Sequence, residues 1–139
     1  MSTQSPYIVF ADDDSDDQEM LADRFLKSHP AMAFKFFKDG NEVLRYLEDC
    51  PAGELPCLLL LDYKMPRLTG VEVLKALRED HRYDQIHKIV WSTSGNSEYA
   101  NQCLQLGARQ YFTKPTSMQE LDTIVLQISL LTPATGVSG

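Results

Sequence analysis

The chain has 139 residues, of which 43% are hydrophobic and 24% are charged. This composition is typical of one globular domain and excludes a chain that is disordered as a whole. Its formal net charge of −7 argues against a nucleic-acid-binding surface, and no apolar run exceeds five residues, far short of the ~20 that cross a membrane. A basic, apolar leader is absent and the three cysteines show no C-x-x-C spacing, so we expect a cytoplasmic protein with reduced thiols.

Short apolar segments alternate with amphipathic ones along the chain. Five of the apolar segments have the composition of strands: residues 7–11, 33–37, 57–61, 88–92 and 110–113. The third is apolar on both faces, which indicates a central strand covered on both sides. We therefore predict a doubly wound α/β fold, with a five-stranded parallel sheet flanked by five helices.

Helical spacing of apolar residues follows each of the five strands. The first helix is predicted to begin at Asp14 or Ser15 and to end before Pro30. A turn at residues 39–41 precedes the second helix, and a capping box at residues 117–120 opens the last. Each strand thus returns through a helix, and the carboxyl ends of all strands lie at one edge of the sheet, where such folds bind ligands.

Polar side chains follow four of the strands at this edge. Three aspartates at 12–14 follow the first strand, Asp62 follows the third, Ser92 and Thr93 end the fourth, and a Lys-Pro pair at 114–115 follows the last. Two carboxylates about 4 Å apart repel by about 4 kcal/mol at an effective dielectric constant near 20, so the cluster calls for a cation.

A magnesium ion suits a cluster whose ligands are all oxygen atoms. Asp12, Asp13 and Asp62 carry three negative charges, which Mg²⁺ and Lys114 together neutralise. A neutralised site of this kind accepts a phosphoryl group, with Asp62 as the nucleophile and the remaining groups stabilising the transferring oxygens.

These segments resemble the receiver domain of two-component response regulators, a flavodoxin-like fold. The resemblance covers about residues 6–131 and lies in four motifs taken in order: Asp12-Asp13, Asp62-Tyr-Lys-Met-Pro66 with Gly70, Ser92, and Lys114-Pro115. Within this family, the chain is similar to the single-domain regulators of the chemotaxis type or to those that act as partners of phytochromes. The domain itself is expected over residues 7–131, with an N-terminal extension at 1–6 and a flexible tail at 132–139.

The resemblance implies a role for each acidic residue and its neighbours. Asp62 corresponds to the phosphoacceptor, Asp13 to the main metal ligand and Asp12 to a ligand acting through water. The backbone carbonyl of Lys64 completes the shell of Mg²⁺, which Mn²⁺ can replace, and Lys114 pairs with the acceptor or its phosphoryl group.

The resemblance also implies a switch beside the acceptor. Ser92 lies 22 residues before Lys114, the separation of the family's switch hydroxyl, and Thr93 is the alternative. Tyr111 occupies the position of an aromatic residue that turns inward on phosphorylation, although a partly exposed core role is equally open. Gly70 has a structural role, and a cis bond before Pro115 would aim the lysine inward.

The implied function is that of a signalling switch rather than an enzyme, with only self-phosphorylation and autodephosphorylation chemistry. A sensor histidine kinase or phosphotransfer protein supplies the phosphoryl group, and a face of the domain then binds a downstream protein that the sequence does not name. Nucleic acid and membrane are not expected as partners, no output domain is expected, and a homodimer is plausible.

Three other interpretations compete with this one. An aspartyl-nucleophile phosphatase of the haloacid dehalogenase type needs an acid two residues after Asp62, where Lys64 stands. A flavodoxin-like ligand-binding module needs a loop of glycine, serine or threonine after the first strand, where three aspartates stand. A calcium loop needs glycine at its sixth position, which is Asp17.

Overall fold

The structure is a computed structural model that describes residues 5–133. It contains one parallel sheet in the order β2-β1-β3-β4-β5. The strands are β1 (Tyr7–Ala11), β2 (Ala33–Phe37), β3 (Leu58–Asp62), β4 (His87–Ser92) and β5 (Gln110–Thr113). The predicted fold class is confirmed, and each strand lies within one residue of its predicted bounds.

Five helices connect or follow the strands: α1 (Ser15–Ser28), α2 (Gly40–Asp49), α3 (Gly70–Arg78), α4 (Ser97–Gln105) and α5 (Met118–Leu130). Short 3₁₀ turns at Ala52–Glu54 and His81–Tyr83 precede β3 and β4. Among the described residues, no helix has the length and apolar character that a membrane crossing requires. Residues 1–4 of the predicted extension and 134–139 of the predicted tail lie outside the described part of the chain.

Two of the predicted local signals are wrong in detail. Residues 39–41 are not a turn, because the Asp39 carboxylate accepts the backbone N–H of Glu42 at 2.9 Å and caps α2, which begins at Gly40. Gly40 suits this place because a Cβ there would lie 2.7 Å from the Leu68 Cβ.

The capping box predicted at the start of α5 is only half formed. Ser117 Oγ accepts the backbone N–H of Glu120 at 3.1 Å, as a cap should. The Glu120 carboxylate turns instead to the backbone N–H of Thr116, at 2.8 Å. A complete box occurs at α3, where Thr69 and Glu72 exchange both hydrogen bonds.

The core consists of two layers, one on each face of the sheet. Alternate residues of β1 and β3 pack against α2, α3 and α4 on one face and against α1 and α5 on the other. The four leucines of β3, Leu58–Leu61, are each 0% exposed, which confirms a central strand buried on both sides. The carboxyl ends of β1 and β3 are therefore held by the most deeply packed part of the protein.

Candidate functional site

The central acidic cluster lies where β1 and β3 end side by side. The register pairs Ala11 with Leu61, so Asp12 and Asp62 follow as neighbours. One carboxylate oxygen from each of Asp12, Asp13 and Asp62 lies within 4.8 Å of the other two. Asp12 and Asp62 are buried, whereas Asp13 is exposed, so the cluster opens to solvent on one side.

The surroundings of Asp62 disfavour its charged form. Burial and the nearby Asp12 carboxylate raise the pKa of Asp62 to about 7, although Lys114 and the backbone N–H of Lys64 oppose this shift. A divalent cation relieves both causes, since it replaces lost hydration and offsets the repulsion. Three converging carboxylates with only oxygen donors and one open side therefore fit Mg²⁺ or Mn²⁺.

The Asp12 carboxylate is largely satisfied by the protein itself. Its Oδ1 accepts the backbone N–H of Asp14 at 2.9 Å, and its Oδ2 accepts the indole N–H of Trp91 at 2.9 Å and lies 3.0 Å from Lys114 Nζ. These contacts occupy three of about four acceptor positions, which leaves one for a water or cation. This contact of Trp91 could not be predicted from the sequence, because no local pattern indicates the partner of a buried indole N–H.

Lys114 lies among three carboxylates. Its Nζ is 2.7 Å from Asp17 Oδ2, 3.0 Å from Asp12 Oδ2 and 3.4 Å from Asp62 Oδ2. Burial alone lowers the pKa of Lys114, but the hydrogen bonds to Asp17 and Asp12 raise it well above its ordinary value. The sequence predicted that Lys114 and Asp62 lie at one edge of the sheet, but it gave no indication that Asp17 contacts Lys114.

The Lys114–Pro115 bond is trans, so the predicted cis bond is wrong, and no peptide bond within residues 5–133 is cis. The trans form is the more stable isomer by about 0.5–1 kcal/mol. Lys114 reaches the acidic cluster from this trans backbone, which is held by the bond from its own N–H to the Ser92 carbonyl at 2.7 Å.

Ser92 and Thr93, the two candidates for the switch hydroxyl, have different surroundings at the end of β4. Ser92 is 2% exposed and its Oγ accepts the backbone N–H of Ser94 at 3.1 Å, whereas Thr93 is exposed. The Tyr111 hydroxyl donates to the Ser94 carbonyl at 2.8 Å, and burial raises the pKa of Tyr111 while the Ser92 side chain lowers it. Tyr111 is half-buried and its ring packs edge-on to Tyr63, with centroids 6.3 Å apart.

The loop after β3 is fixed close to Asp62. The backbone N–H of Lys64 points at Asp62 Oδ1 from 3.4 Å, while the Lys64 side chain is exposed. Gly70 donates its N–H to the Tyr63 carbonyl at 3.0 Å, and a Cβ at Gly70 would lie 2.7 Å from the Asp62 carbonyl oxygen. This close approach requires a glycine, which gives a physical reason for the structural role expected of Gly70.

Comparison with known proteins finds chains of similar sequence and structure. Two-component response regulator ORR5 from Oryza sativa subsp. japonica is 25% identical over 124 residues, which are 89% of each chain. The phosphorylated cyanobacterial phytochrome response regulator RcpA superposes with a TM-score of 0.80 at 26% identity, covering 91% of this chain and 92% of RcpA.

A second solved structure, the Mn²⁺-bound form of response regulator Rcp1, has a TM-score of 0.79 at 23% identity and covers 96% of this chain and 98% of its own. Residues 8–126 match the response regulator receiver domain family, which favours this interpretation over the phosphatase and the ligand-binding module. The chain therefore belongs to the family of response regulator receiver domains.

Proposed function

We propose that the protein is a phosphoryl-accepting switch and that Asp62 is the acceptor. The observation that carries the proposal is a buried carboxylate set between two further acids and a lysine at the end of the central strand. Receiver domains pair with histidine kinases or phosphotransfer proteins, and such a protein would be the donor here. An Asp62 oxygen forms the new O–P bond as the P–N bond of a phosphohistidine breaks, and the imidazole nitrogen keeps the bonding electron pair.

Asp13, Asp62 and the backbone carbonyl of Lys64 would hold Mg²⁺, with Asp12 acting through water. The contacts that already occupy Asp12 support its indirect role. The bound ion supplies positive charge that offsets the carboxylates and the incoming phosphoryl oxygens. The similar Rcp1 structure is a Mn²⁺-bound form, which supports the binding of a divalent ion by this chain.

The protein's own groups position the phosphoryl oxygens. Lys114 contacts Asp62 Oδ2, whereas the Lys64 N–H points at Oδ1, and the lysine ammonium is already held by carboxylates before any phosphate arrives. The Ser92 hydroxyl ends β4, the strand next to β3, and can donate to a phosphoryl oxygen once it turns from Ser94. Catalysis is then mostly positioning and electrostatics.

The switch follows from the contacts of Ser92. If Ser92 Oγ turns to the phosphoryl group, it releases the Ser94 N–H and frees the loop whose carbonyl holds the Tyr111 hydroxyl. Tyr111 then moves with the loop between β4 and α4. Phosphorylation acts by shifting the population between these two arrangements.

The surface that reads this change is the face of α4, β5 and α5. Leu104 on α4 and Leu130 on α5 are 45% and 70% exposed, so both helices offer an apolar side chain to a partner. The partner is either a downstream protein or a second copy of this chain. The acidic net charge favours a protein over nucleic acid as the partner.

Incubation with Mg²⁺ and acetyl phosphate, followed by intact mass measurement, tests the proposal. We expect one labile phosphoryl group on the wild type and none on Asp62→Ala. Asp16→Ala is the matched control, because Asp16 is an exposed acid of the same edge outside the cluster. Labelling of Asp62→Ala at the wild-type level contradicts the assignment of the acceptor.

A further inference from the structure

Asp17 has the shortest contact with the Lys114 ammonium. The distance to Asp17 Oδ2 is 2.7 Å, against 3.0 Å for Asp12 and 3.4 Å for Asp62. An ammonium group has three N–H bonds, so the three carboxylates together use its whole donor capacity. The lysine side chain is only 12% exposed, and water is therefore a poor substitute for a lost partner.

Of the three carboxylates that contact Lys114, Asp17 is the one that does not belong to the acidic cluster. The group of carboxylates that converge on one point consists of Asp12, Asp13 and Asp62, without Asp17. Asp12 divides its oxygens among several donors, and a cation would compete for it as well. Asp17 can thus hold the lysine whether or not a cation is present.

The start of α1 fixes the position of Asp17. The Asp14 carboxylate caps the helix by accepting the backbone N–H groups of Asp16 at 2.9 Å and Asp17 at 3.2 Å. Asp16 is exposed and Asp17 is half-buried, so two neighbouring acids of one helical turn face different surroundings. Both favour the helix N-terminus by their charge, but only Asp17 has Lys114 as a hydrogen-bond partner.

We propose that Asp17 is a positioning residue that anchors Lys114 and directs the remaining N–H at the oxygens of Asp62 and of its phosphoryl group. The inference rests on the proposed function. The weakest of the three contacts, the one to Asp62, is the contact free to move to a phosphoryl oxygen, while the Asp17 contact keeps the nitrogen in place. Loss of the anchor leaves a lysine of the same charge with a less defined direction.

The test compares Asp17→Ala with the matched control Asp16→Ala, which removes the same charge from the same helical turn. Phosphorylation by acetyl phosphate is measured at saturating Mg²⁺ over a range of donor concentrations. For Asp17→Ala we expect the maximal rate constant to fall about tenfold, the size of effect that follows loss of a charged hydrogen bond. The half-saturating donor concentration should not rise, because removal of a negative charge does not weaken binding of an anion. Asp16→Ala should keep the wild-type rate constant.

A second readout needs no phosphoryl donor. The ammonium NMR signal of Lys114 is expected in the wild type and in Asp16→Ala, since held hydrogen bonds slow proton exchange, and it should vanish in Asp17→Ala. Asp17→Glu, which restores a carboxylate, should recover both the signal and most of the rate. If Asp17→Ala does not fold, Asp17→Leu, whose side chain cannot accept a hydrogen bond, replaces it in both measurements.

The outcomes separate this inference from the proposed function. A labelled wild type with equal rate constants for the two alanine variants overturns the role of Asp17 alone, as does a retained Lys114 signal in Asp17→Ala. A wild type that takes no phosphoryl group overturns both proposals. A slower Asp17→Ala with an unchanged or lower half-saturating concentration, rescued by Asp17→Glu, supports the positioning role.

Discussion

Replacing Asp62 by asparagine keeps the shape of the side chain and removes its charge from a buried, crowded place. Burial and Asp12 raise the pKa of Asp62 to about 7, against 3.8 for an ordinary aspartate. Because the pKa is higher in the folded than in the unfolded protein, the contribution of Asp62 to the free energy of unfolding is most favourable below pH 4. That contribution is lost as the pH rises through about 7.

The size of the loss follows from the shift of about three pKa units. At about 1.4 kcal/mol per unit the ceiling is ~4 kcal/mol, and solvent screening through the open side of the cluster reduces it. We therefore expect Asp62→Asn to raise the free energy of unfolding by about 1–2 kcal/mol at pH 8, with a smaller gain at pH 5. Saturating Mg²⁺ should narrow the difference, since the ion stabilises the folded wild type more than the variant.

Urea unfolding in the presence of a chelator measures the free energy of unfolding of wild type and variant at pH 5 and at pH 8. Asp16→Asn is the control, because Asp16 is exposed and its replacement should change the free energy of unfolding by less than about 1 kcal/mol. An Asp62→Asn protein that is less stable than the wild type at pH 8 without metal refutes the reasoning. Such a result would mean that the contact with Lys114 outweighs burial and repulsion.

Three further predictions concern the surroundings of the acceptor. Trp91, the single tryptophan, donates to a carboxylate of the acidic cluster, so a Mg²⁺ titration should change its fluorescence saturably, and an unchanged emission spectrum contradicts the predicted metal site. Gly70→Ala should lower the free energy of unfolding by about 1–3 kcal/mol in urea titrations, because its Cβ would overlap a backbone oxygen at 2.7 Å. Gly95→Ala, with its nearest contact at 3.4 Å, is the matched control and should cost less than about 1 kcal/mol. Ser92→Ala should abolish the phosphorylation-dependent change in hydrogen exchange of the β4–α4 loop, because Ser92 is buried at the end of β4. Thr93→Ala should retain this change, because Thr93 is exposed. The reverse pattern would assign the switch hydroxyl to Thr93.

The sequence predicted well those features that depend on the composition of one short segment. The apolar run at 57–61 identified the central strand, and the end of each strand identified Asp62 and Lys114. The helix start at residue 40 was missed because an Asp-Gly-Asn segment is typical of a turn, and only the contact of Gly40 with the loop before α3 explains the helix.

Contacts between distant segments were the part that sequence could not give. Trp91 and Asp12 are 79 residues apart, and Lys114 and Asp17 are 97 residues apart. Each of these residues has an ordinary local explanation, as a packed aromatic residue or an acid at a helix start. Their pairing depends on the order of the strands and on the register of the sheet, which no local pattern contains.

The same packing that buries the acidic cluster also explains why the protein tolerates it. β1 and β3 hold the backbone of Asp12 and Asp62 between two apolar layers, so the carboxylates cannot move apart to relieve their repulsion. Relief must come from a proton, from Lys114 or from a bound cation. Without a cation the pKa of Asp62 is raised to about 7, and a protonated carboxyl is a poor nucleophile. Under the proposed function, conditions that favour the cation would also favour the ionised form of Asp62, and metal binding would be coupled to phosphorylation through this one side chain.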